Sequence, residues 1–404
     1  MKLLLKVMAA SVVMAGVISV AFLVGFGTGQ VVNLETWPQG FASLAPSPNP
    51  AGDLDEQFQV FWDVWRIVED EFYGEQPDSQ KKIYGAIRGA LGTLNDPNTH
   101  FSDPVHTKIE QSNMEGHFGG VGVEIRMIDD NLTVIRPMEG TPGERAGLLP
   151  GDIITHVDGK SIKGMDIIDA MSLIRGPEGT KVVLTIKREG KEPFDVTIIR
   201  ERIQIRTVKY EMLDDGVAYI LLRQFDGNAT KEIRRAYEEL EKQNPKALIL
   251  DLRGNPGGLL GEAISVSGQF LPEGALVATE KTKDGEKKFT AQGEGVALNV
   301  PMVVLINKGS ASASEIVAGA LQDHGRAKLI GETTYGKGSV QNIHDLRDGS
   351  SVRVTIAHWF TPHGRLIHEK GLDPDIVVEL TEDDMKAGQD PQLDRAVEFL
   401  TTGQ

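Results

Sequence analysis

The 404-residue chain contains no cysteine. That excludes structural disulfides, a thiol nucleophile, iron–sulfur clusters and cysteine-ligated zinc. It does not place the protein, because an oxidising compartment permits disulfides without requiring them. Positive charge is scarce: 42 Lys and Arg face 58 Asp and Glu, a formal net charge of −16. So acidic a chain lacks the positive surface needed to bind a phosphate backbone, and no nucleic-acid partner is expected. The nine histidines form no H-E-x-x-H pattern, so neither a metal nor another cofactor is expected. What is present is a globular balance, 40% hydrophobic and 25% charged, over a length that suits two or three domains.

Lys2 and Lys6 precede an uncharged stretch whose apolar part, residues 7–27, is 21 residues long. At about 1.5 Å per residue, such a helix crosses a hydrocarbon core of about 30 Å. The positive flank predicts a cytoplasmic N-terminus and an extracytoplasmic body. A cleaved signal peptide is the alternative, although no A-x-A cleavage site stands out, and a buried globular helix is the third. Residues 1–27 are therefore expected to be an anchor or signal segment, attaching the protein to the inner membrane if retained. Pro38, Pro46, Pro48 and Pro50 mark 28–52 as an extended tether.

From residue 53 the pattern turns helical. Phe58, Phe61, Trp62, Trp65 and Val68 form an amphipathic stripe, expected to pack against other helices or, alternatively, to make a dimer face. A second helix is predicted over 79–94, closed by Asp96-Pro97-Asn98. From Gly116 short Val- and Ile-rich strands follow at 121–127, 132–135, 152–157, 182–187 and 194–199, interrupted by helical segments at 142–147 and 166–174. Beyond residue 203 strands at 217–223, 247–252, 301–306 and 327–330 alternate with helices at 229–243, 260–270 and 313–321. That alternation predicts a βα core with helices covering a sheet.

Four motifs carry chemistry. The glycine-rich loop Phe118-Gly119-Gly120-Val121-Gly122-Val123 opens a strand, where successive N–H groups could hold a carboxylate; a simple bulge is the plainer explanation. Lys308-Gly309-Ser310-Ala311-Ser312-Ala313-Ser314-Glu315 joins an apolar strand to an apolar helix. A hydroxyl at that helix start lies near free N–H groups that would stabilise an oxyanion, while Ser312 with Glu315 also matches a capping box. The two roles are compatible. Residues 331–338 match G-x-x-x-x-G-K and then fail as a phosphate loop, because Gly338 replaces the required Ser or Thr. Lys337 there is either a solvated lysine or, if desolvated, a base for a serine hydroxyl. Asp251-Leu252-Arg253-Gly254-Asn255-Pro256-Gly257-Gly258 ends a buried strand with glycines that permit close backbone approach, or simply make a turn.

The loop at Phe118, followed by Gly140-Thr141-Pro142-Gly143-Glu144-Arg145-Ala146-Gly147-Leu148, Pro150-Gly151-Asp152-Ile153-Ile154 and Val157-Asp158-Gly159, resembles a PDZ domain over 116–202. The whole series over 53–400 resembles the carboxy-terminal processing peptidases, with D-L-R-x-N-x-G-G, S-A-S-A-S-E, the G-K-G turn with Gln four residues on, and a late D-P-Q-L-D. The resemblance implies an α+β multidomain protein: a helical N-terminal segment over 53–115, a PDZ domain over 116–202 and a βα protease core over 203–404. It implies a serine endopeptidase that binds protein or peptide substrates by their C-termini. Ser312 would be the nucleophile, Lys337 the base and Gln341 its orienting partner, with Asp323 as a relay residue. The backbone N–H groups of Ala313 and Gly258 would form the oxyanion hole. Gly119, Gly120, Val121, Gly122 and Val123 would line the carboxylate loop, and Arg175 would couple it to the active site. Gly254 stands where the family more often has Asn. A homo-oligomer and an activating adaptor are left open as partners. Rival functions are a catalytically idle PDZ scaffold and a nucleotide-binding enzyme using 331–337.

Overall fold

The computed structural model describes residues 51–403. The anchor or signal segment 1–27 and the tether 28–52, up to residue 50, lie outside the described residues. Among the described residues no helix is long and apolar enough to cross a membrane. The chain divides into two compact units, Met1–Asp78 and Ser79–Gln404, so the division falls inside the 53–115 segment.

In the first unit, helix Ala51–Glu71 forms where the stripe predicts it, closed by Gln76 Nε2 donating to Val68 O and Glu69 O. The stripe is exposed at Phe58, Phe61 and Trp62 and half-buried at Trp65 and Val68. Phe58, Phe61 and Trp62 are 54%, 37% and 51% exposed, because the described part of this unit holds no second element to cover them.

In the second unit the core is a six-stranded sheet ordered Val208–Met212, Val217–Leu222, Ala247–Asp251, Met302–Ile306, Lys328–Gly331 and Ile376–Val377. The first pair is antiparallel and all others are parallel. Successive side chains point to opposite faces. Ala218, Ile220, Leu248, Leu250 and Val304 face one core with helices Ala229–Glu241, Leu260–Ser267 and Ala313–Asp323. Val217, Tyr219, Ile249, Val303 and Leu305 face another, covered by helix Pro391–Thr402. Arg253 fastens that helix from the strand end: it pairs with Asp251 and Asp390, each at 2.7 Å, and donates to Gln392 Oε1. The D-L-R and D-P-Q-L-D motifs thus meet in space.

A second sheet, antiparallel and missed by the sequence, carries His100–Ser102, Leu276–Thr282, Gly285–Thr290, Ser339–Asp345 and Ser351–Phe360. Helix Pro104–Glu115 was also missed. Only Thr107 and Ile109 are buried along it, so it shows no apolar stripe. Its caps are nonetheless written in the sequence: Asp103 accepts from Val105 N and His106 N, proline opens it, and Gly116 ends it at φ 76°.

The 116–202 module packs Val134, Leu132, Ile154, Leu184, Ile186 and Ile174 into its own core. Its sheet runs Val123–Ile128, Asn131–Pro137, Ile153–Val157, Lys181–Lys187, Phe194–Ile199, with helix Ile167–Ile174 against it. An antiparallel ribbon, His117–Gly120 with Glu201–Gln204, brings its two ends together at the core. The architecture is mixed α+β, as expected.

Candidate active site

Strand Met302–Ile306 delivers the serine-rich turn to the end of the sheet. The turn's three serines are not equivalent. Ser310 Oγ donates to Leu252 O at 2.8 Å and Ser314 Oγ to Asn255 O at 2.9 Å; both serines are fully buried. Ser312 Oγ donates to no backbone carbonyl, unlike its two neighbours, and Ser312 is only half-buried. Its backbone sits at φ 54° and ψ −114°, a conformation that costs a non-glycine residue about 1–3 kcal/mol. Strain at a strand-to-helix turn, with the hydroxyl free, is the geometry of an exposed nucleophile.

Two backbone donors stand beside it. Ala313 N–H, at the helix start, makes no hydrogen bond, and neither does Gly258 N–H. Gly257 N–H is taken by Asn255 Oδ1 at 2.9 Å. Asn255 is buried and also donates through Nδ2 to Leu222 O and accepts Ala311 N–H at its carbonyl. It therefore braces the Gly257-Gly258 turn against the serine turn. Gly257 must be glycine, since φ is 100° and a Cβ would come within 2.8 Å of Ser312 Cβ. Gly254, at φ 68°, occupies a left-handed position that Asn tolerates better than most side-chain-bearing residues.

Glu315 was visible in the sequence only as the far half of a capping box. In the fold its buried carboxylate accepts four hydrogen bonds. Ser312 N donates at 2.7 Å and Lys337 N at 2.9 Å to Oε2, and Gly336 N at 2.7 Å and Thr334 Oγ1 at 2.6 Å to Oε1. The carboxylate thus ties the serine turn to the lysine turn. Burial pushes its pKa up against these four donors. No local pattern discloses this role, because Thr334 and Lys337 lie far along the chain.

Lys337 is half-buried. Burial is the main cause holding its amine below the usual lysine range; the positive charge of Arg353 adds to this and the negative charge of Glu110 opposes it. Both flanking glycines are required: Gly336 has φ 87°, and a Cβ on Gly338 would meet His368 N at 2.2 Å. No hydrogen bond joins Lys337 Nζ to Ser312 Oγ. Gln341 Nε2 donates to Ser339 Oγ at 2.8 Å and Thr355 Oγ1 at 3.3 Å, and is not bonded to Lys337.

Asp323 is a correction. It lies at the opposite end of helix Ala313–Asp323 from Ser312, roughly 16 Å away at the α-helical rise of about 1.5 Å per residue. There it pairs with Arg365 and accepts His363 N–H at 2.8 Å. Its partners in the structure include none of Ser312, Lys337 and Gln341.

Of the loop residues Gly119 lines a cleft, whereas Gly120, Val121 and Gly122 are buried, Val121 in the core of the 116–202 module with Val123 packed against it. Gly119 must be glycine because a Cβ would strike Gly176 O. Arg175 stacks 3.8 Å over the Phe118 ring and donates to Asn113 Oδ1 at 3.0 Å. Burial pulls its guanidinium pKa down to about 10, so it stays charged near neutrality. Arg175 contacts helix Pro104–Glu115 and not the serine or lysine turns. A cleft of about 570 Å³ opens here, lined by Lys108, Ser112, Phe118, Gly119 and Arg175 among others.

The S41 peptidase family model matches residues 216–378, a span holding Ser312, Lys337 and Gly258, and a PDZ family model matches 133–188. The chain is 38% identical over 326 residues to carboxy-terminal processing protease CtpA of Bacillus subtilis, covering 81% of this chain and 70% of the relative. It is 42% identical over 330 residues to a carboxy-terminal-processing protease of Bartonella bacilliformis, covering 80% and 75%.

The chain belongs to the carboxy-terminal processing proteases of peptidase family S41.

A solved structure from Bacteroides fragilis described as a candidate S41 protease shares the fold, with TM-score 0.51 and 18% identity over 82% of this chain and 93% of that one. The protein is accordingly a serine-type peptidase carrying a PDZ domain. The PDZ match starts after Gly119–Val123, so the loop is positioned here by the fold and not by the family match.

Proposed function

We propose that this peptidase works outside the cytoplasm, captures the C-terminus of a protein chain on its PDZ domain and cleaves upstream through a Ser312–Lys337 dyad. The observation that carries this is the turn at Ser312: one hydroxyl that donates to no backbone carbonyl between two that do, flanked by two unbonded N–H groups. Ser312 Oγ attacks the scissile carbonyl and Lys337 Nζ accepts its proton. The carbonyl oxygen, now negative, takes hydrogen bonds from Ala313 N–H and Gly258 N–H. Collapse breaks the C–N bond, the leaving amine takes the proton from Lys337, and the acyl ester stays on Ser312. Water then attacks with Lys337 again as base. The base must be neutral, which is the direction in which burial and Arg353 push it. Ser312 and Lys337 come within hydrogen-bonding reach when substrate closes the site, a tightening that resting enzymes commonly require. The extracytoplasmic setting rests on the positive flank of residues 7–27.

Free-acid and C-terminally amidated versions of one peptide test the capture. Amidation removes a charge-assisted bond of about 1–3 kcal/mol, so the acid should be cut roughly 5- to 150-fold better at low concentration. Equal rates would remove the carboxylate from the recognition scheme. A scaffold with no catalytic role would cut neither.

A further inference from the structure

Among the described residues no group of three or more histidines and carboxylates gathers as a metal centre, and the histidines show no metal-binding spacing along the chain. Two of them nevertheless come together in the second sheet. Strand Ser351–Phe360 reverses through a tight turn, in which Thr361 N–H donates to Arg365 O at 3.0 Å and Gly364 N–H to Thr361 O at 2.8 Å. The returning chain pairs with the strand: Phe360 bridges Leu366 in antiparallel fashion, and Ile367 N–H donates to Trp359 O at 3.4 Å. Trp359 and Ile367 are buried in the large core. Side chains alternate along extended backbone, so the next residue out on each segment, His358 and His368, faces the other way. There the two imidazoles lie side by side, with ring centroids 4.5 Å apart and ring planes at 40°.

Each ring has a buried Nδ1 with no hydrogen-bond partner. A buried polar atom left unpaired is rare and needs a reason, and two of them on adjacent rings point to one ligand that serves both. The neighbours do not supply it. Opposite His358 on the flanking strands stand Ser339 and Lys281. Ser339 Oγ accepts from Gln341 Nε2 at 2.8 Å. Lys281 Nζ lies 4.5 Å from the centre of the Phe360 ring and 3.9 Å from Glu286. Glu369, which follows His368, is exposed.

We propose that His358 and His368 form a two-histidine site for a late divalent transition-metal ion, with copper(II) its preferred occupant. Imidazole suits such ions and binds them through the ring nitrogen that carries no proton. A metal–nitrogen bond of about 2.0–2.1 Å sets each ring centroid about 3.2 Å from the ion, so two rings stand about 4.5 Å apart at a right-angled centre and about 5.2 Å apart at a tetrahedral one. The observed 4.5 Å matches the right-angled centre. That is the geometry of copper(II) and nickel(II), whereas tetrahedral zinc needs the rings to spread. Copper(II) also heads the affinity order for nitrogen ligands. Water completes the coordination. An ion held here ties the returning chain to the strand whose Trp359 N–H holds Gly338 O at 2.7 Å. The proposal does not rest on the roles of Ser312 and Lys337.

The test is copper(II) binding to the full chain, prepared without a histidine tag and stripped with a chelator that is then dialysed away. Calorimetric titration should find a site of micromolar affinity, and its electron paramagnetic resonance spectrum should show at least two imidazole nitrogens bound to the copper. His358→Gln and His368→Gln should each weaken that site by at least about tenfold, because a chelate owes its strength to two linked ligands. His363→Gln, which removes an exposed histidine from the adjacent turn, should bind copper as the wild type does. Nickel(II) should occupy the same site more weakly. Equal copper affinity in the wild type and both single variants overturns the proposal, as does a wild-type spectrum with fewer than two imidazole nitrogens; the pair would then be no more than stacked rings in the sheet. Should one variant fail to fold, the other and the wild-type spectrum still decide.

Discussion

Ser312 and Lys337 meet at Glu315 from different sheets. The serine turn hangs from the central parallel strand Met302–Ile306, buried along its whole length, and Ser310, Ala313, Ser314 and Glu315 are all nearly inaccessible. Ser310 and Ser314 lock it to the Leu252–Asn255 turn, which Asn255 fastens to Leu222 O. The lysine turn leads into strand Ser339–Asp345, whose last four residues are exposed, and follows exposed Tyr335. Its backbone is held by Glu315 and by Glu369 N–H donating to Gly336 O. The contrast separates two needs of catalysis. An oxyanion site gains from donors that do not reorganise, whereas a base must sit near its working pKa, which nearby charges adjust.

The largest effect should come from removing either partner. Ser312→Ala and Lys337→Ala should each reduce peptide cleavage by at least about a thousandfold with the circular-dichroism spectrum unchanged, since members of one catalytic unit fail together. Substantial activity in Ser312→Ala would break the contrast, because Ser310 and Ser314 already spend their hydroxyls on the backbone.

Cutting the tie between the halves should come next. In Glu315→Gln the amide nitrogen faces donors instead of accepting from them. At least one N–H loses its partner, at about 1–3 kcal/mol of stability. Activity should drop by roughly tenfold to a hundredfold through misplacement of Ser312 relative to Lys337, measured as kcat by steady-state assay. Unchanged kcat with a lowered Tm would mean the carboxylate only supports the fold.

Lys337→Met should sharpen the contrast in stability instead of rate. A lysine whose folded pKa is lowered binds fewer protons folded than unfolded, between that pKa and the ordinary one near 10.5. It therefore subtracts stability at neutral pH, and the loss disappears as pH rises through its unfolded pKa. The Met variant should melt about 1–3 °C higher than wild type at pH 7, with the gain shrinking towards pH 10 in calorimetry. A gain that grows with pH would contradict the lowered pKa.

The smallest effect on rate should be at Asp323. Asp323→Asn weakens the contacts to Arg365 and His363 at the far end of the helix, so kcat/KM should stay within about threefold while Tm falls slightly. A hundredfold loss would restore a relay role that the geometry denies.

Much of the core was legible because its signals are local. The strands at 217–222, 247–251 and 302–306 are apolar runs, and helix Ala229–Glu241 buries Ala229, Ile233, Ala236, Tyr237 and Leu240 at helical spacing. The second sheet was not legible, because Gly285–Thr290 and Ser339–Asp345 are polar and largely exposed, and their order comes from pairing with distant strands. The aromatic stripe at Phe58–Val68 gave the right helix but not its burial, since period reports a face and not what covers it.

Sequence alone determined the pieces that depend on neighbours a few residues away. These are the βα alternation, the glycines bracketing Lys337, the capped start of the serine helix and the motif set that marks the family. Tertiary structure decided which of three serines keeps its hydroxyl free, which of two adjacent glycines keeps its N–H free, and that Asp323 stands a helix length from the chemistry. It also decided that Glu315 binds two turns at once. The physical reason is that these outcomes depend on hydrogen bonds and charges between segments tens to hundreds of residues apart, brought together by strand register and helix direction.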